Sequence, residues 1–236
     1  MKRLRNLLIA SATMALAIGA MGAPVSANSG ATVAVVHGIP GVKVDVCVNG
    51  GVLQKDFKYG QRIVLDNALA AGDYRIRVKL AANARPCKGA TVLKLNTTLA
   101  GSENLTIVAG FRGGKPGLRI YDHDAALGGP AKTAVSDAAI IAAHGAKTGK
   151  VDIYVAGVVV PTAPTPTVAG LGRGKAVGLG VPVSQWSAWV SAPGKISPLI
   201  GPKNKATKSG KINHYVAVGT KPSNFRLVFF RTAIDV

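Results

Sequence analysis

Two histidines and two aspartates recur in this sequence at the same spacing. His37 stands eight residues before Asp45, and His144 stands eight residues before Asp152. A carboxylate that orients an imidazole is the base half of a hydrolytic triad, because the imidazole then accepts the nucleophile's proton. One candidate function is therefore a secreted hydrolase, or a metal-dependent enzyme, that uses the His37/Asp45 side of the molecule.

The residues around these pairs favour a structural interpretation. No serine or cysteine stands in a nucleophile-elbow context, and Gly-x-Ser-x-Gly is absent from the sequence. The alternative is that each histidine caps a strand end and bonds the aspartate or a turn amide. On this interpretation the four residues are a repeat signature, the chain is not an enzyme, and it has no catalytic residue and no cofactor.

Asp122-His123-Asp124 is a compact group of metal-ligand residue types. Zinc needs three or four converging ligands and calcium needs six or more oxygens, so this trio alone predicts no metal site. The alternative is a polar strand end that leads into a linker.

The densest basic run contains Lys203, Lys205, Lys208 and Lys211, with no acidic residue nearby. Its lysines predict a solvated hairpin whose strand edge is guarded against pairing. They are also a candidate polyanion contact, which would be non-specific and sensitive to salt. No aromatic residues interleave with the run, so a specific nucleic-acid partner is not expected.

The elements that position these residues have the pattern of β-strands. Val42, Val44, Val46 and Val48 alternate with polar residues, and Asn49-Gly50-Gly51 is a hairpin signal. No window outside the N-terminus has helical periodicity. Turn signals separate further predicted strands at Gln61–Asp66, Asp73–Leu80, Ala90–Thr98, Leu105–Gly110 and Leu118–Asp122.

The two signatures mark a duplicated unit. Residues 37–50 are echoed by residues 144–157, and downstream Gly172 is aligned with Gly60, Trp186 with Tyr74, and Tyr215–Gly219 with Thr106–Gly110. Trp186 and Trp189 are expected to face opposite sides of one strand. Core or interface packing is favoured for both, and the alternative is that one of them is exposed as a sugar-stacking contact. We therefore predict a first sandwich at 28–124, a linker at 125–136 and a second sandwich at 137–236.

Three stretches of the first unit resemble a known family. They are Val33–Pro40, with its His-Gly-Ile-Pro, then Val44–Gly50, and Ala70–Val78. This pattern resembles the bacterial exported family called domain of unknown function 4397, in two tandem copies. The second copy is diverged: His144 has no following proline, and Trp186 follows Ser184-Gln185. The resemblance implies tandem immunoglobulin-like or transthyretin-like β-sandwiches in secreted or cell-surface proteins, and no known reaction.

The N-terminus, the cysteines and the charge predict where the protein acts. Basic residues, an apolar stretch and Val25-Ser26-Ala27 predict a signal peptide at 1–27, cleaved between Ala27 and Asn28. In an oxidising compartment Cys47 and Cys87 are expected to form a disulfide. The mature chain has no predicted membrane span. The net charge of +19 implies attraction to anionic cell-wall or surface polymers. We therefore expect a secreted, non-enzymatic binding or structural protein associated with the cell envelope.

Overall fold

The computed structural model describes residues 30–81, 85–112, 115–129, 137–157 and 165–234. Besides a 3₁₀-helix at Pro222–Asn224, these residues form sixteen strands and one short α-helix. In chain order they are β1 Ala31–His37, β2 Val44–Val48, β3 Gly51–Phe57, β4 Arg62–Leu69, β5 Gly72–Leu80, β6 Thr91–Leu99, β7 Asn104–Arg112, β8 Lys115–Asp122, α1 His123–Leu127, β9 Ala138–His144, β10 Val151–Gly157, β11 Val168–Leu171, β12 Ala176–Val181, β13 Gln185–Ser191, β14 Pro198–Ala206, β15 Lys211–Val218 and β16 Arg226–Ala233.

The strands form four four-stranded sheets. Sheet A has the order β4-β1-β7-β8, sheet B β3-β2-β5-β6, sheet C β12-β9-β15-β16, and sheet D β11-β10-β13-β14. Sheets A and B enclose one apolar core, and sheets C and D enclose another. The predicted fold class, all-β with two tandem sandwiches, is confirmed.

Each core is built from the period-2 positions of its strands. In the first sandwich Val33 and Val35 of β1 face Val46 of β2 and Val78 of β5. In the second sandwich Ile140 of β9 faces Ile153 of β10 and Val190 of β13. β1 and β7 pair in parallel, as do β9 and β15, and every other pairing is antiparallel.

The two sandwiches also pack against each other, through sheets A and C. A third apolar cluster joins side chains of sheet A to side chains of sheet C; its buried members are Ala34, Val36, Val108, Tyr121, Ala143, Val216, Val218, Val228 and Phe230. The Tyr121 hydroxyl donates to the His144 carbonyl at 3.0 Å, and the Tyr59 hydroxyl donates to the Asn224 carbonyl. The molecule is therefore a four-layer stack in the order B, A, C, D.

Several local predictions are confirmed and others are corrected. Asn49 and Gly50 have φ of 50° and 87° and join β2 to β3, as the hairpin signal predicts. The helix α1 was not predicted; Asp122 caps it by accepting a hydrogen bond from the Ala125 amide at 3.0 Å. The structural equivalent of Gly60 is Gly174 and not Gly172. The Gly60 amide donates to the His37 carbonyl, and the Gly174 amide donates to the His144 carbonyl.

The alignment of β7 with β15 is also corrected, by one residue. The Ala109 and Ala217 carbonyls accept from Gly38 and Gly145 respectively, so Thr106 corresponds to His214 and not to Tyr215. A shift of one residue exchanges the faces of a strand, which explains why His214 lies at the interface between the sandwiches.

Two sequence predictions concern residues outside the described ranges. The signal peptide with its Ala27–Asn28 cleavage site and residues 130–136 of the predicted linker lie there. Among the residues that the structure does describe, we find no helix with the length and apolarity that crossing a membrane requires.

Candidate functional site

The two signature histidines lie buried at the ends of β1 and β9, where each bonds the turn that follows its strand. His37 Nε2 lies 3.1 Å from the Val42 carbonyl, and the Ile39 amide donates to His37 Nδ1 at 3.3 Å. His144 Nε2 lies 2.8 Å from the Gly149 carbonyl. Burial lowers the pKa of both imidazoles, against the opposite effect of the carbonyl bond. Both rings are therefore neutral and hold the turn closed.

The two signature aspartates each join two distant backbone segments. Asp45 accepts from the Asp56 amide at 3.0 Å and from the Cys87 amide at 2.9 Å. Asp152 accepts from the Gly170 and Gly194 amides, each at 2.7 Å. All four donor residues have positive φ, between 51° and 70°. Each carboxylate thus fixes a tight bend in the neighbouring strand and a bend in the loop that leaves β5 or β13.

These contacts do not assemble a His–carboxylate pair in either sandwich. The histidine belongs to sheet A or C, the aspartate belongs to sheet B or D, and both oxygens of each aspartate are bonded to backbone amides. Asp122 caps α1 and His123 is buried, so the Asp122-His123-Asp124 trio does not converge. Within the described ranges no group of three or more His, Cys, Asp or Glu residues is placed to hold a metal ion.

The predicted disulfide between Cys47 and Cys87 is formed. It fastens the loop between β5 and β6 to the outer face of sheet B, beside the Asp45 bond to Cys87. The second sandwich has Tyr154 in place of Cys47. Tyr154 stacks on Trp189 with ring centroids 4.9 Å apart, and their side chains donate to the Lys195 and Ile196 carbonyls. Stacked aromatic rings thus fasten the corresponding loop. Trp186 instead packs against the core of this sandwich.

A second pair of histidines, which sequence reasoning missed, meets at the interface between the sandwiches. The rings of His123 and His214 lie 4.4 Å apart, and Phe230 stacks on His214 at 4.5 Å. His123 Nε2 lies 2.8 Å from Thr106 Oγ1, and His214 Nε2 lies 2.9 Å from Thr232 Oγ1. Burial lowers the pKa of His123 to about 4, and it lowers the pKa of His214 well below its ordinary value. Both rings are neutral packing groups near pH 7.

The four lysines of the predicted polyanion contact have different surroundings. Lys203 donates to the Leu227 carbonyl at 3.3 Å, Lys205 lies over the Phe229 ring at 5.5 Å, and Lys211 lies 3.8 Å from Asp66. Lys208 is exposed. The hairpin prediction is wrong, because β14 is the edge strand of sheet D and β15 belongs to sheet C. Lys203 and Lys205 cover the edge of the second core with their aliphatic stems.

Another group of cations lies on the outer face of sheet B. Arg75, Arg77 and Lys79 alternate along β5 with core residues, and Lys94 of β6 pairs directly opposite Arg77. We call these four residues the basic face. The signal for it was the alternation Arg75-Ile76-Arg77-Val78-Lys79, which indicated a strand and part of the family pattern but not a charged face.

The outer face of sheet D is different. The corresponding positions of β13 are Gln185, Ser187, Trp189 and Ser191, which carry no charge, and the last three are buried. The two ends of the stack therefore present different chemistry. In the part of the chain that the structure describes, only sheet B places a row of cations outward on a central strand.

Most described carboxylates are engaged within the protein and leave the cations unneutralised. Six of them accept hydrogen bonds from backbone amides or hydroxyl groups: Asp45, Asp66, Asp73, Glu103, Asp122 and Asp152. Over the described ranges two ion pairs form, Lys55 with Asp56 and Lys211 with Asp66, both at 3.8 Å and partly exposed. No residue of the basic face takes part in either.

Comparison with known proteins gives one finding. A family model described as Domain of unknown function (DUF4397) matches residues 31–154, which span the first sandwich and continue into β10. A search of curated proteins gives no match.

Proposed function

The chain belongs to the family described as Domain of unknown function (DUF4397), and from that premise we propose that it is an exported, non-enzymatic protein that binds anionic polymers of the cell envelope. The family description specifies no reaction. The proposal is therefore derived from the charges and contacts of this chain.

The observation that carries the proposal is the unneutralised positive charge. The sequence has 29 Lys and Arg residues against 10 Asp and Glu residues. Over the described ranges two ion pairs form, so most of the described cations have no carboxylate beside them. A surplus of this size attracts polyanions over a distance set by the ionic strength, about 8 Å at physiological salt.

The proposal includes the second sandwich as a diverged second copy of the family unit. The matching hydrogen bonds of Asp45 and Asp152 support this, since each carboxylate bonds two amides of positive-φ residues in corresponding bends. Tyr154 in place of Cys47 is one mark of the divergence. Export is supported by the disulfide, because such bonds persist in oxidising compartments.

Release by salt tests the proposal. Cells that express the chain are fractionated, and the protein in the envelope pellet is measured as NaCl is raised from about 50 mM to about 500 mM. We expect it to be in the pellet at low salt and in the supernatant at high salt. A neutral exported protein serves as the control, and its distribution between pellet and supernatant should not change with salt. A chain that is freely soluble at the lowest salt would overturn the proposal.

A further inference from the structure

The basic face has a regular geometry along β5. Side chains on one face of a strand stand two residues apart, which is roughly 7 Å, so Arg75, Arg77 and Lys79 form a row with that spacing. Lys94 extends the row sideways next to Arg77. Arg75 and Lys94 are exposed, while Arg77 and Lys79 are partly exposed.

Neighbouring groups hold Arg77, the middle residue of the row, in place. Arg77 Nη1 donates to Asn96 Oδ1 at 2.9 Å and to the Leu95 carbonyl at 3.3 Å, which lays its guanidinium across β6. On its other side Arg77 pairs with Cys47, whose disulfide holds Cys87 there. The loop of Cys87 also carries the exposed Arg85 and Lys88. Cations from three segments of the chain therefore surround Arg77.

The spacing of the row selects a type of polymer. Two residues of extended protein chain contain six backbone bonds and span about 7 Å. A polymer of three-carbon polyols joined by phosphodiesters also has six bonds between successive phosphorus atoms. Its phosphates therefore have the same spacing as the row when both chains are extended, and arginine forks bind phosphate oxygens in pairs.

We propose that the basic face is the site at which this protein binds a linear phosphodiester polymer, with successive phosphates on Arg75, Arg77 and Lys79. This inference rests on the proposed function, since it assigns the anionic polymer a site and a chemistry. Single-stranded nucleic acid has the same bond count between phosphates. It is disfavoured because the outward positions of β5 and β6 in the described chain carry no aromatic ring on which bases stack.

Asp73 allows a test in which removing a charge should strengthen binding. It stands two residues before Arg75 on the same face of β5, at the end of the row, and accepts from Thr98 Oγ1 at 2.6 Å. Its negative charge opposes a phosphate bound at Arg75. Removing that charge is expected to strengthen binding, an effect that partial unfolding of a variant does not produce.

The experiment titrates the purified protein with synthetic poly(glycerol phosphate) at several NaCl concentrations. The site variant combines Arg75→Gln, Lys79→Gln and Lys94→Gln, whose side chains make no hydrogen bonds among the described residues. The control variant combines Lys150→Gln, Lys195→Gln and Lys221→Gln. It loses the same charge from exposed positions of the second sandwich. Thermal melting establishes that each variant is folded.

We expect the site variant to lose about tenfold in affinity. Its slope of log K against log salt should fall by about 1.4, because the variant removes two of the three phosphate contacts and about 0.7 is lost for each. The control should change affinity by less than about twofold, because distant exposed charges are screened. Asp73→Asn should raise affinity by about twofold.

The other outcomes separate the two proposals. If both triple variants weaken binding equally, the basic face is not the site, and general polyanion binding stands. If polygalacturonate or oligo(dT) binds as tightly as poly(glycerol phosphate), the assignment of a phosphodiester polyol is overturned. If the unmodified protein binds none of the three polymers, the proposed function itself fails.

Discussion

Replacing Asp152 with alanine tests what the signature aspartate does. The side chain is 3% exposed, and it accepts hydrogen bonds from Gly170 and Gly194, each at 2.7 Å. Hydrogen bonds to a charged group contribute about 1.5–3 kcal/mol each, which would give about 3–6 kcal/mol for two. Removing the carboxylate also ends the cost of burying its charge, so we expect the lower limit, about 3 kcal/mol. The midpoint of thermal unfolding should then fall by about 6–12 °C.

Calorimetric melting measures this loss, and amide exchange locates it. The exchange of the Gly194 amide should accelerate strongly in Asp152→Ala, because Asp152 is its hydrogen-bond acceptor. The Cys87 amide should be less affected in Asp45→Ala, since the disulfide still holds its loop. Asp73→Ala, at an exposed carboxylate, is the control and should cost less than about 1 kcal/mol.

A double-mutant cycle then tests whether the histidine and the aspartate act together. His144→Gln and Asp152→Asn share no hydrogen-bond partner, so their effects should add to within about 0.5 kcal/mol. A coupling energy above about 1 kcal/mol would refute the conclusion that the two side chains act independently. A midpoint unchanged in Asp152→Ala would refute the structural role of the carboxylate altogether.

Two further predictions concern stability. Replacing Cys47 and Cys87 with serine opens a loop of 40 residues and should lower the free energy of unfolding by about 4 kcal/mol in denaturant titration; a loss below about 1 kcal/mol would contradict it. The histidine pair makes stability depend on pH. Because the folded pKa of His123 is about 4 and the unfolded value is 6.5, the unfolded chain binds the proton first as pH falls. Stability should therefore be unaffected by this group above pH 6.5 and should decrease towards pH 4, by about 3 kcal/mol in total. His214 contributes in the same direction. The His123→Gln variant should have a flatter profile, and an equally steep one would show that another group is responsible.

The sequence predicts the strands well because their signals are local. The alternation in β5 is set by one buried face, and Asn49-Gly50 adopts the left-handed conformations that the hairpin requires. The disulfide was also predictable, since the predicted export to an oxidising compartment and the count of two cysteines leave one pairing. The helix α1 was missed because five residues are too few for a helical period.

Packing between the sandwiches was not predicted, although it left a signal. All seven residues of β1 are buried, as are all seven of β9. In a strand with one solvent-exposed face, apolar residues alternate with polar ones. In β1 the second face carries Thr32, Ala34 and Val36, which are small or apolar. Which surface covers the second face depends on long-range contacts that no local pattern encodes.

The candidate site shows the same limit. The lysines from Lys203 to Lys211 form the densest run in the sequence, yet the fold spreads them over an edge strand, a turn and an interface. The basic face contains fewer cations per residue of chain, but strand alternation brings them to one side. Closeness in the sequence therefore indicated a lysine cluster that the fold does not form, and it gave no indication of the basic face, which the fold does form.

The stacking order B, A, C, D determines how many polymer chains one molecule can bind through its basic face. Sheet B lies at one end of the stack with its cations outward, and sheet D lies at the other end with β13 largely covered. A protein with two equivalent basic ends would cross-link polymer chains into a network. With one such end, each molecule that binds through sheet B occupies a single polymer and directs its second sandwich away from it.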